Sequence, residues 1–348
     1  MTKKFLCSFG GTLLTVFAVL FTASFVTACG GGGGGGSTTV VTPPPAIDYS
    51  CDGATTLASM PRTAPYVSGS FDTLPIGSSS LVTTYERWPL VIDGVANELN
   101  IAITRPAGTP KGVVINGHGQ SLAQATMLPS EMVVNYWEKA IAGRGYISVT
   151  VARRGNYGST GAMVPSVTGT SASLQMAYFK YQSASLIAVL DKMATDPSYK
   201  PYLTAIILAG TSGGSDTVTQ TASDSLVFKS AIKKAVIHVD GGVGTTIFTS
   251  SNQATNLINL NAMNEYGTVV GKTGTSSFWV VGDQDVVTSP PQVACQFKFY
   301  NQSAVSVGYS NTLFVVPGMG HASIIEVFDS SLRQQFREYM TARGFTDF

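Results

Sequence analysis

The sequence predicts an α/β fold in which a mostly parallel sheet, led by an antiparallel hairpin, carries helices on both faces. From residue 111 onwards, short apolar runs alternate with longer segments of helical periodicity, which is the pattern of successive β–α units. Before them, two strand-like runs flank Asp93-Gly94, a pair that favours a tight hairpin turn. In such a sheet, we expect the residues that carry chemistry at the carboxyl ends of the strands.

The predicted elements follow one another in a regular order. The hairpin consists of LVTTYERWPLVI and ELNIAITRP, which are rich in the β-branched and aromatic residues of strands. Six further apolar runs predict strands: KGVVINGHG, YISVTVARRG, LTAIILAG, AVIHVDGG, SFWVVGDQD and NTLFVVPG. Two long segments between them predict helices: EMVVNYWEKAIAGRG and LQMAYFKYQSASLIAVLDKM. Residues 241–275 lack a clear strand, and either a small cap or a crossover helix with long loops fits them.

The charge balance argues against one class of partner. The 348 residues include 21 Lys and Arg against 20 Asp and Glu, and 44% of the residues are hydrophobic. A nearly neutral chain has no large electrostatic field for holding DNA or RNA, so we expect no nucleic-acid partner. The hydrophobic content suits a packed core of ordinary size. The sequence does not indicate an oligomeric state.

Residues 1–28 have the organisation of a secretion signal. Two lysines precede an apolar run, residues 13–26, that is too short for a membrane span. The sequence VTAC at its end resembles the lipobox of bacterial lipoproteins. This resemblance implies a lipid on Cys29 that anchors the protein to a membrane of the bacterial cell envelope. Because Gly30 follows the cysteine, the resemblance favours the outer membrane. An ordinary signal peptide with an incidental cysteine is the alternative.

The composition divides the rest of the chain into three parts. Residues 29–48 are rich in Gly and Pro and cannot pack a core, so they form a tether. Residues 49–80 form an N-terminal arm, and residues 81–348 form the main domain.

The cysteine count predicts one disulfide. Cys7 leaves with the signal and Cys29 would carry lipid, so Cys51 and Cys295 are the pair left in an oxidising compartment. A Cys51–Cys295 bond would join the arm to the late part of the domain, and two buried free thiols are the alternative.

A candidate nucleophile follows the run LTAIILAG. The segment GTSGG, residues 210–214, matches G-x-S-x-G with Ser212 at its centre. Glycines beside a serine let a strand turn at once into a helix and expose the hydroxyl. The hydroxyl needs a base, and His118, His238 and His321 are the three histidines of the chain. His321 follows the last apolar run, whereas His238 lies inside a run, where a core role is the better interpretation.

An imidazole base also needs a carboxylate that holds its tautomer. The loop GDQDVVT presents Asp283 and Asp285, and Asp240 ends the preceding run. The order of these segments resembles the α/β-hydrolase family, whose triad occurs as Ser, Asp, His along the chain. The family's Gly-x-x-Asp loop falls on Asp285 and its Gly-His loop on His321. The resemblance therefore implies a triad of Ser212, Asp285 and His321. Asp283 would cap a loop, although Asp283 and Asp240 remain alternatives for the acid.

The resemblance extends to the loop NGHGQS, residues 116–121, where the family keeps its oxyanion loop. It implies that the backbone N–H groups of Gln120 and Gly213 bind the oxyanion, and that His118 shapes the loop. A plain polar turn is the alternative. Farther along, Arg153 or Arg154 is expected to brace loops near the site by hydrogen bonds to carbonyl groups.

The function implied by the resemblance is that of a serine hydrolase. Its substrate would be a small carboxylic ester, cleaved through an acyl-enzyme intermediate without a cofactor. A peptidase or amidase with the same triad is one alternative, and a surface-anchored binding protein that keeps the fold without turnover is another. We expect no metal site, because three dispersed histidines without H-E-x-x-H spacing do not form a convincing zinc site.

Overall fold

The structure is a computed structural model that describes residues 50–67, 81–119, 122–132, 135–163, 171–241, 273–305, 308–321 and 331–348. The chain divides into two compact units, Met1–Pro43 and Pro44–Phe348, and every described residue belongs to the second. The predicted signal, the tether, Cys29 and Gln120 lie outside the described residues, as does most of segment 241–275.

Eight strands form one sheet in the order β1-β2-β4-β3-β5-β6-β7-β8. Their bounds are β1 (Thr83–Ile92), β2 (Val95–Thr104), β3 (Gly112–Gly117), β4 (Tyr146–Val151), β5 (Ala205–Thr211), β6 (Lys233–Val239), β7 (Ser277–Gly282) and β8 (Thr312–Val316). Strand β2 is antiparallel to both β1 and β4, and all the other neighbours are parallel. The predicted mostly parallel sheet with a leading antiparallel hairpin is confirmed.

The helices connect these strands. They are α1 (Gly53–Ser59), α2 (Asn135–Gly143), α3 (Ser171–Thr195), α4 (Gly213–Asp224), α5 (Leu226–Ser230), α6 (Pro290–Val305) and α7 (Arg333–Thr341). Short 3-10 helices span Leu122–Ala125, Pro129–Met132 and Lys200–Tyr202. In this described part of the chain, no helix is long and apolar enough to cross a bilayer.

Both faces of the sheet are covered, as predicted. Successive side chains of a strand point to opposite faces. Accordingly, Ile207 of β5 belongs to the core cluster that contains residues of α2 and α7, such as Ile141 and Phe336. Its neighbour Ile206 belongs to the cluster that contains residues of α3 and α4, such as Leu190. Helix α6 packs in a third cluster with residues of β7 and β8.

The hairpin between β1 and β2 turns at the predicted pair. Asp93 and Gly94 have positive φ values of 53° and 76°, and Ile92 pairs with Val95 across them. Two consecutive positive φ values define the turn whose twist matches that of antiparallel strands, which is why an Asp-Gly pair is suited to this position.

The N-terminal arm covers one edge of the sheet. Strand β8 is an edge strand, and unpaired edge groups are a liability that proteins cover. The amide N–H of Val315 donates to the carbonyl of Pro61 at 2.9 Å, and the N–H of Thr63 donates to the carbonyl of Val315 at 3.1 Å. The predicted disulfide between Cys51 and Cys295 is present, with a Cα–Cα distance of 5.8 Å. It joins the beginning of the arm to helix α6.

Loss of this disulfide is expected to lower the free energy of unfolding by about 2–4 kcal/mol. The bond joins cysteines 244 residues apart, so it constrains the unfolded chain strongly. The measurement is urea denaturation of the double variant Cys51→Ala, Cys295→Ala beside the unaltered protein. Reductant should destabilise the unaltered protein by a similar amount and leave the double variant unchanged. Equal denaturation midpoints for all four samples would contradict the prediction.

Candidate active site

The candidate site lies where the parallel strands end. Ser212 directly follows β5, Asp240 directly follows β6, Asp285 lies three residues after β7, and His321 lies five residues after β8. Strands β5 to β8 are consecutive neighbours in the sheet. Because their carboxyl ends meet at one edge, the loops that carry these four residues lie at the same edge of the sheet.

Ser212 occupies a strained turn between β5 and α4. It is the N-cap residue of α4, and its φ of 53° and ψ of −129° lie in a region that residues with side chains rarely adopt. The N–H of Ser212 donates to the carbonyl of Val239 at 2.9 Å, and the N–H of Ser215 donates to the carbonyl of Ser212 at 2.9 Å. The turn is thus held from both sides, and a strained serine at such a turn is typical of a nucleophile elbow.

The glycines of the motif are required by close packing. A Cβ atom added to Gly210 would lie 2.4 Å from the carbonyl oxygen of Gly214. One added to Gly214 would lie 2.1 Å from the carbonyl oxygen of Gly117, at the end of β3. Both distances are shorter than non-bonded atoms tolerate, so only glycine lets α4 begin directly against β3.

The structure brings Asp285 and His321 together. Nδ1 of His321 lies 2.8 Å from Oδ2 of Asp285. The Asp285 side chain is buried, whereas 26% of the His321 side chain is exposed. A carboxylate at Nδ1 favours the tautomer with the proton on that nitrogen, which leaves Nε2 to accept a proton.

The surroundings of Asp285 favour its ionised form. Burial raises the pKa of this carboxyl, but hydrogen bonds from His321 and Thr288, together with the amide of Val287, outweigh burial and hold the pKa below its usual value. The amide N–H groups of Val287 and Thr288 lie 2.7 and 2.9 Å from Oδ1. The carboxyl is therefore a fixed negative charge at neutral pH, as a group that stabilises an imidazolium must be.

Asp283 has different partners. Its carboxylate accepts a hydrogen bond from Arg62 of the arm at 3.0 Å and one from the amide N–H of Gly318 at 2.8 Å. Gly318 belongs to the loop that leads to His321. Asp283 thus joins the arm, its own loop and the histidine loop, which matches the capping role expected of it.

Asp240 is a second carboxylate beside the His–Asp pair. It is buried, and it accepts a hydrogen bond from the amide N–H of Gly282 at 2.9 Å. One ligand atom each from Asp240, Asp285 and His321 lie within 4.8 Å of one another. This donor set could surround a metal ion. Both carboxylates also accept hydrogen bonds from backbone N–H groups through Oδ1.

The predicted oxyanion loop lies beside Ser212. A Cβ atom added to Gly119 would lie 3.6 Å from the Cβ of Ser212. Gly213 is the first residue of α4, and the first N–H groups of a helix have no partner within it. Gly213 thus lies at the beginning of α4, and its role as a donor stays a prediction, as does that of Gln120, which falls outside the described ranges.

The side chain of Arg153 holds the predicted oxyanion loop by hydrogen bonds. Its side chain is buried, and its guanidinium donates to the carbonyl oxygens of His118 and Gly119 at 2.7 and 2.8 Å. It also donates to the hydroxyl of Thr217 on α4 at 2.6 Å. Arg154 instead pairs with Asp93 of the hairpin at 2.8 Å. Of the two arginines considered, Arg153 is thus the one that holds the loop.

The other two histidines do not resemble a general base. Burial and the neighbouring Arg153 charge hold the pKa of His118 well below its usual value, and its Nδ1 lies 2.7 Å from the carbonyl oxygen of Gly119. Burial lowers the pKa of His238 to about 3, and its ring stacks on Trp279 with centroids 4.0 Å apart. His118 therefore shapes the loop, and His238 belongs to the core.

Arg62 and Glu138 are two further residues near the site whose roles the sequence patterns did not predict. Arg62 lies in a segment without regular periodicity, so no local signal pointed to it. Glu138 is a buried acid on the sheet-facing side of α2, beside Trp137. A charged residue among the apolar positions of EMVVNYWEKAIAG was the signal that could have revealed it.

The sheet order, the covering helices and the loops at the strand ends define an α/β-hydrolase fold. Solved structures agree with this class. The chain resembles the esterase Pf2001 of Pyrococcus furiosus, with a TM-score of 0.51 and 14% identity over 81% of this chain and 99% of that one. It also resembles acetyl xylan esterase 1 of Thermoanaerobacterium sp. JW/SL YS485, with a TM-score of 0.52 and 12% identity over 83% and 92% of the two chains.

Peptidases share the fold as well. The acylaminoacyl peptidase of Pyrococcus horikoshii matches with a TM-score of 0.52 and 15% identity over 78% of this chain. The chain spans 42% of that enzyme and 36% of a Bacteroides ovatus protein described as a dipeptidyl aminopeptidase IV. No protein-family model and no curated protein sequence matches the chain.

Proposed function

We propose that this protein is a serine hydrolase that cleaves small carboxylic esters through an acyl-enzyme intermediate. The observation that carries the proposal is the strained Ser212, at the same strand edge as a hydrogen-bonded pair of Asp285 and His321. Backbone strain at a half-buried serine on a sharp turn is typical of a nucleophile, which must be presented to its substrate.

The reaction follows from the proposed roles. Ser212 Oγ attacks the carbonyl carbon of the ester while its proton moves to Nε2 of His321. The N–H groups of Gly213 and Gln120 stabilise the oxyanion. The tetrahedral intermediate expels the alcohol, which takes the proton from His321. Water then attacks the acyl-enzyme with His321 again as the base, which releases the acid and restores the Ser212 hydroxyl.

A peptidase or amidase is the second candidate, because the chain also shares its fold with acylaminoacyl peptidase. The share of each solved chain that the match covers favours ester hydrolysis. It is 99% and 92% for the two esterases but 42% for the peptidase. Initial rates on matched ester and peptide substrates distinguish the two. Faster cleavage of the peptide bond would make the ester assignment wrong.

Labelling with a fluorophosphonate probe tests the nucleophile itself. We expect the folded protein to be labelled, Ser212→Ala to show no labelling, and Ser230→Ala to be labelled like the unaltered protein. Ser230 is a matched control, because it is an exposed serine at the end of α5. Equal labelling of Ser212→Ala, or no labelling of the unaltered folded protein, would favour the binding-protein alternative.

We also propose that Cys29 is lipidated and anchors the protein in the bacterial cell envelope, at the outer membrane. The support comes from the sequence VTAC followed by glycine. A single acyl chain binds membranes weakly, so stable attachment requires more than one chain. The full-length protein is expressed in a Gram-negative host that is fed an alkynyl palmitate analogue. We expect the protein to incorporate this label, and the control variant Cys7→Ser to incorporate it equally. A Cys29→Ala variant that still carries label would contradict the proposal.

A further inference from the structure

A cavity of about 180 Å³ lies next to the proposed nucleophile. Gly119 and Thr211 belong to its wall, and both flank Ser212: Thr211 precedes it in the chain, and a Cβ on Gly119 would lie 3.6 Å from the Ser212 Cβ. An acyl group bound to the Ser212 oxygen could therefore enter this space directly.

The strand register shows how deep the cavity is. Asn116, Thr150 and Ala209 also line it, and the register places these three side by side across β4, β3 and β5. Ala209 lies two residues before Thr211, which corresponds to about 7 Å along a strand. The floor of the cavity is thus about 7 Å below the level of Thr211, on the face of the sheet that α2 covers.

The volume limits the occupant to a small group. A cavity of about 150 Å³ is enough for benzene, and sites for drug-sized ligands begin at about 300 Å³. A space of about 180 Å³ therefore holds about six or seven non-hydrogen atoms. An acyl chain of eight carbons does not fit within it.

The floor is polar and contains a buried acid. Glu138 of α2 lines the cavity, and its carboxyl accepts hydrogen bonds from the hydroxyls of Ser148 and Thr150. Burial raises the pKa of Glu138 to about 7. Trp137 fixes the adjacent amide, because its Nε1 donates to Oδ1 of Asn116 at 2.6 Å.

Glu138 can accept at least one further hydrogen bond. A carboxylate has about four lone-pair sites. The two hydroxyls occupy two of them, and Nδ2 of Asn116 approaches a third at 3.5 Å. An apolar acyl chain packed against Glu138 at the floor of the cavity would leave the remaining acceptor site of the carboxyl without a hydrogen bond, which is costly. A ligand group with a hydroxyl would supply that hydrogen bond.

We infer that this cavity binds the acyl part of the substrate, and that the substrate is an ester of a short hydroxy acid whose hydroxyl donates a hydrogen bond to Glu138. The inference rests on the proposed serine hydrolase function and deepens it. Glu138 then determines specificity, because it contacts a part of the substrate that does not react.

Rates on two esters of the same shape test the inference. Ethyl 3-hydroxybutyrate and ethyl 3-methylbutyrate differ by a hydroxyl in place of a methyl group. Above about pH 8, where a carboxyl with a pKa of about 7 is mostly ionised, we expect kcat/KM to favour the hydroxy ester by about 10- to 100-fold, the range for a hydrogen bond to a charged group. Ethyl octanoate should be cleaved more slowly than either. Ethyl 3-aminobutyrate tests for an ammonium ligand, and a higher kcat/KM on it than on the hydroxy ester would overturn the assignment of a hydroxyl.

The variant Glu138→Gln separates specificity from structure. It should reduce the preference for the hydroxy ester by about five- to tenfold, because glutamine keeps an acceptor oxygen but loses the charge, and Ser212 should still be labelled by the fluorophosphonate. Glu338→Gln, which changes an exposed helix residue, is the matched control and should keep the full preference. If Glu138→Gln lowers both rates equally, Glu138 is structural and the inference is wrong. If Glu138→Gln does not fold, the ratio of the two rates in the unaltered protein decides.

The outcomes distinguish the two levels of the proposal. Labelling of Ser212 with equal rates on the two esters would overturn the hydroxy-acid inference and leave the serine hydrolase in place. Absence of both labelling and ester cleavage in folded protein would overturn the proposed function, and the inference with it.

Discussion

The Ser212→Ala variant is expected to lower kcat for an ester by about 10⁴- to 10⁶-fold, with little change in KM. In the proposed mechanism the Ser212 oxygen forms the acyl-enzyme, and alanine offers no substitute for it. In the proposal, substrate binding depends on the cavity and the surrounding loops, which the variant leaves intact. Steady-state rates on a chromogenic short-chain ester measure both constants.

Two further variants strengthen this test. His321→Ala should cost nearly as much as Ser212→Ala, and the double variant should cost little more than either, because the two groups act as a unit. Ser230→Ala should retain full activity. A residual kcat within tenfold of the unaltered protein in Ser212→Ala would show that another group reacts with the substrate.

The second large effect concerns the acid. Asp285→Asn is expected to lower kcat by about 10⁴-fold, whereas Asp283→Asn should cost less than about tenfold. An asparagine at position 285 keeps the shape but can present its NH₂ group to Nδ1 of His321, which favours the wrong tautomer. Asp283 contacts Arg62 and Gly318, so its loss should loosen loops without changing the protonation of the histidine.

Asp240 is the carboxylate hardest to distinguish from Asp285 as the acid, because one ligand atom each of Asp240, Asp285 and His321 lie within 4.8 Å of one another. Asp285 lies 2.8 Å from Nδ1 of His321, so Asp240→Asn should cost less than Asp285→Asn. The kcat of the three single variants, with unfolding curves to confirm that each is folded, decides among the carboxylates. A larger loss in Asp240→Asn than in Asp285→Asn would assign the acid to the end of β6.

Local patterns were sufficient for much of the fold. Strands and helices leave period-2 and 3.6-residue signals, and turns have characteristic residues, so the eight strands and the turn at Asp93-Gly94 could be predicted from short segments. The order of the loops along the chain could also be read from the sequence. For this reason Ser212 and His321 could each be predicted to follow a particular strand. Because the strands are parallel, chain order and the strand ends were enough to expect these loops at one edge.

Most side-chain contacts between residues far apart in the chain could not be predicted from local sequence patterns. Whether Asp283 or Asp285 faces His321 depends on how the loop after β7 bends, and the structure gives Asp285 the 2.8 Å contact while Arg62 takes Asp283. The choice of Arg153 over Arg154 depends on which side of the chain faces the sheet edge at that point. The Gly-x-x-Asp spacing of the resembled family favoured Asp285 in advance, whereas nothing in the spacing favoured Arg153 over Arg154.

By itself, then, the sequence predicted the class of fold, the position of the serine turn, and a pairing of Cys51 with Cys295 that still had two free thiols as its alternative. Tertiary structure alone decided which of the two arginines contacts the predicted oxyanion loop, how the arm covers β8, and that Glu138 lines a cavity beside Ser212. The physical reason is the distance along the chain over which each signal acts. Propensity and periodicity act over a few residues, whereas a cavity or an ion pair exists only after separate strands and helices have packed.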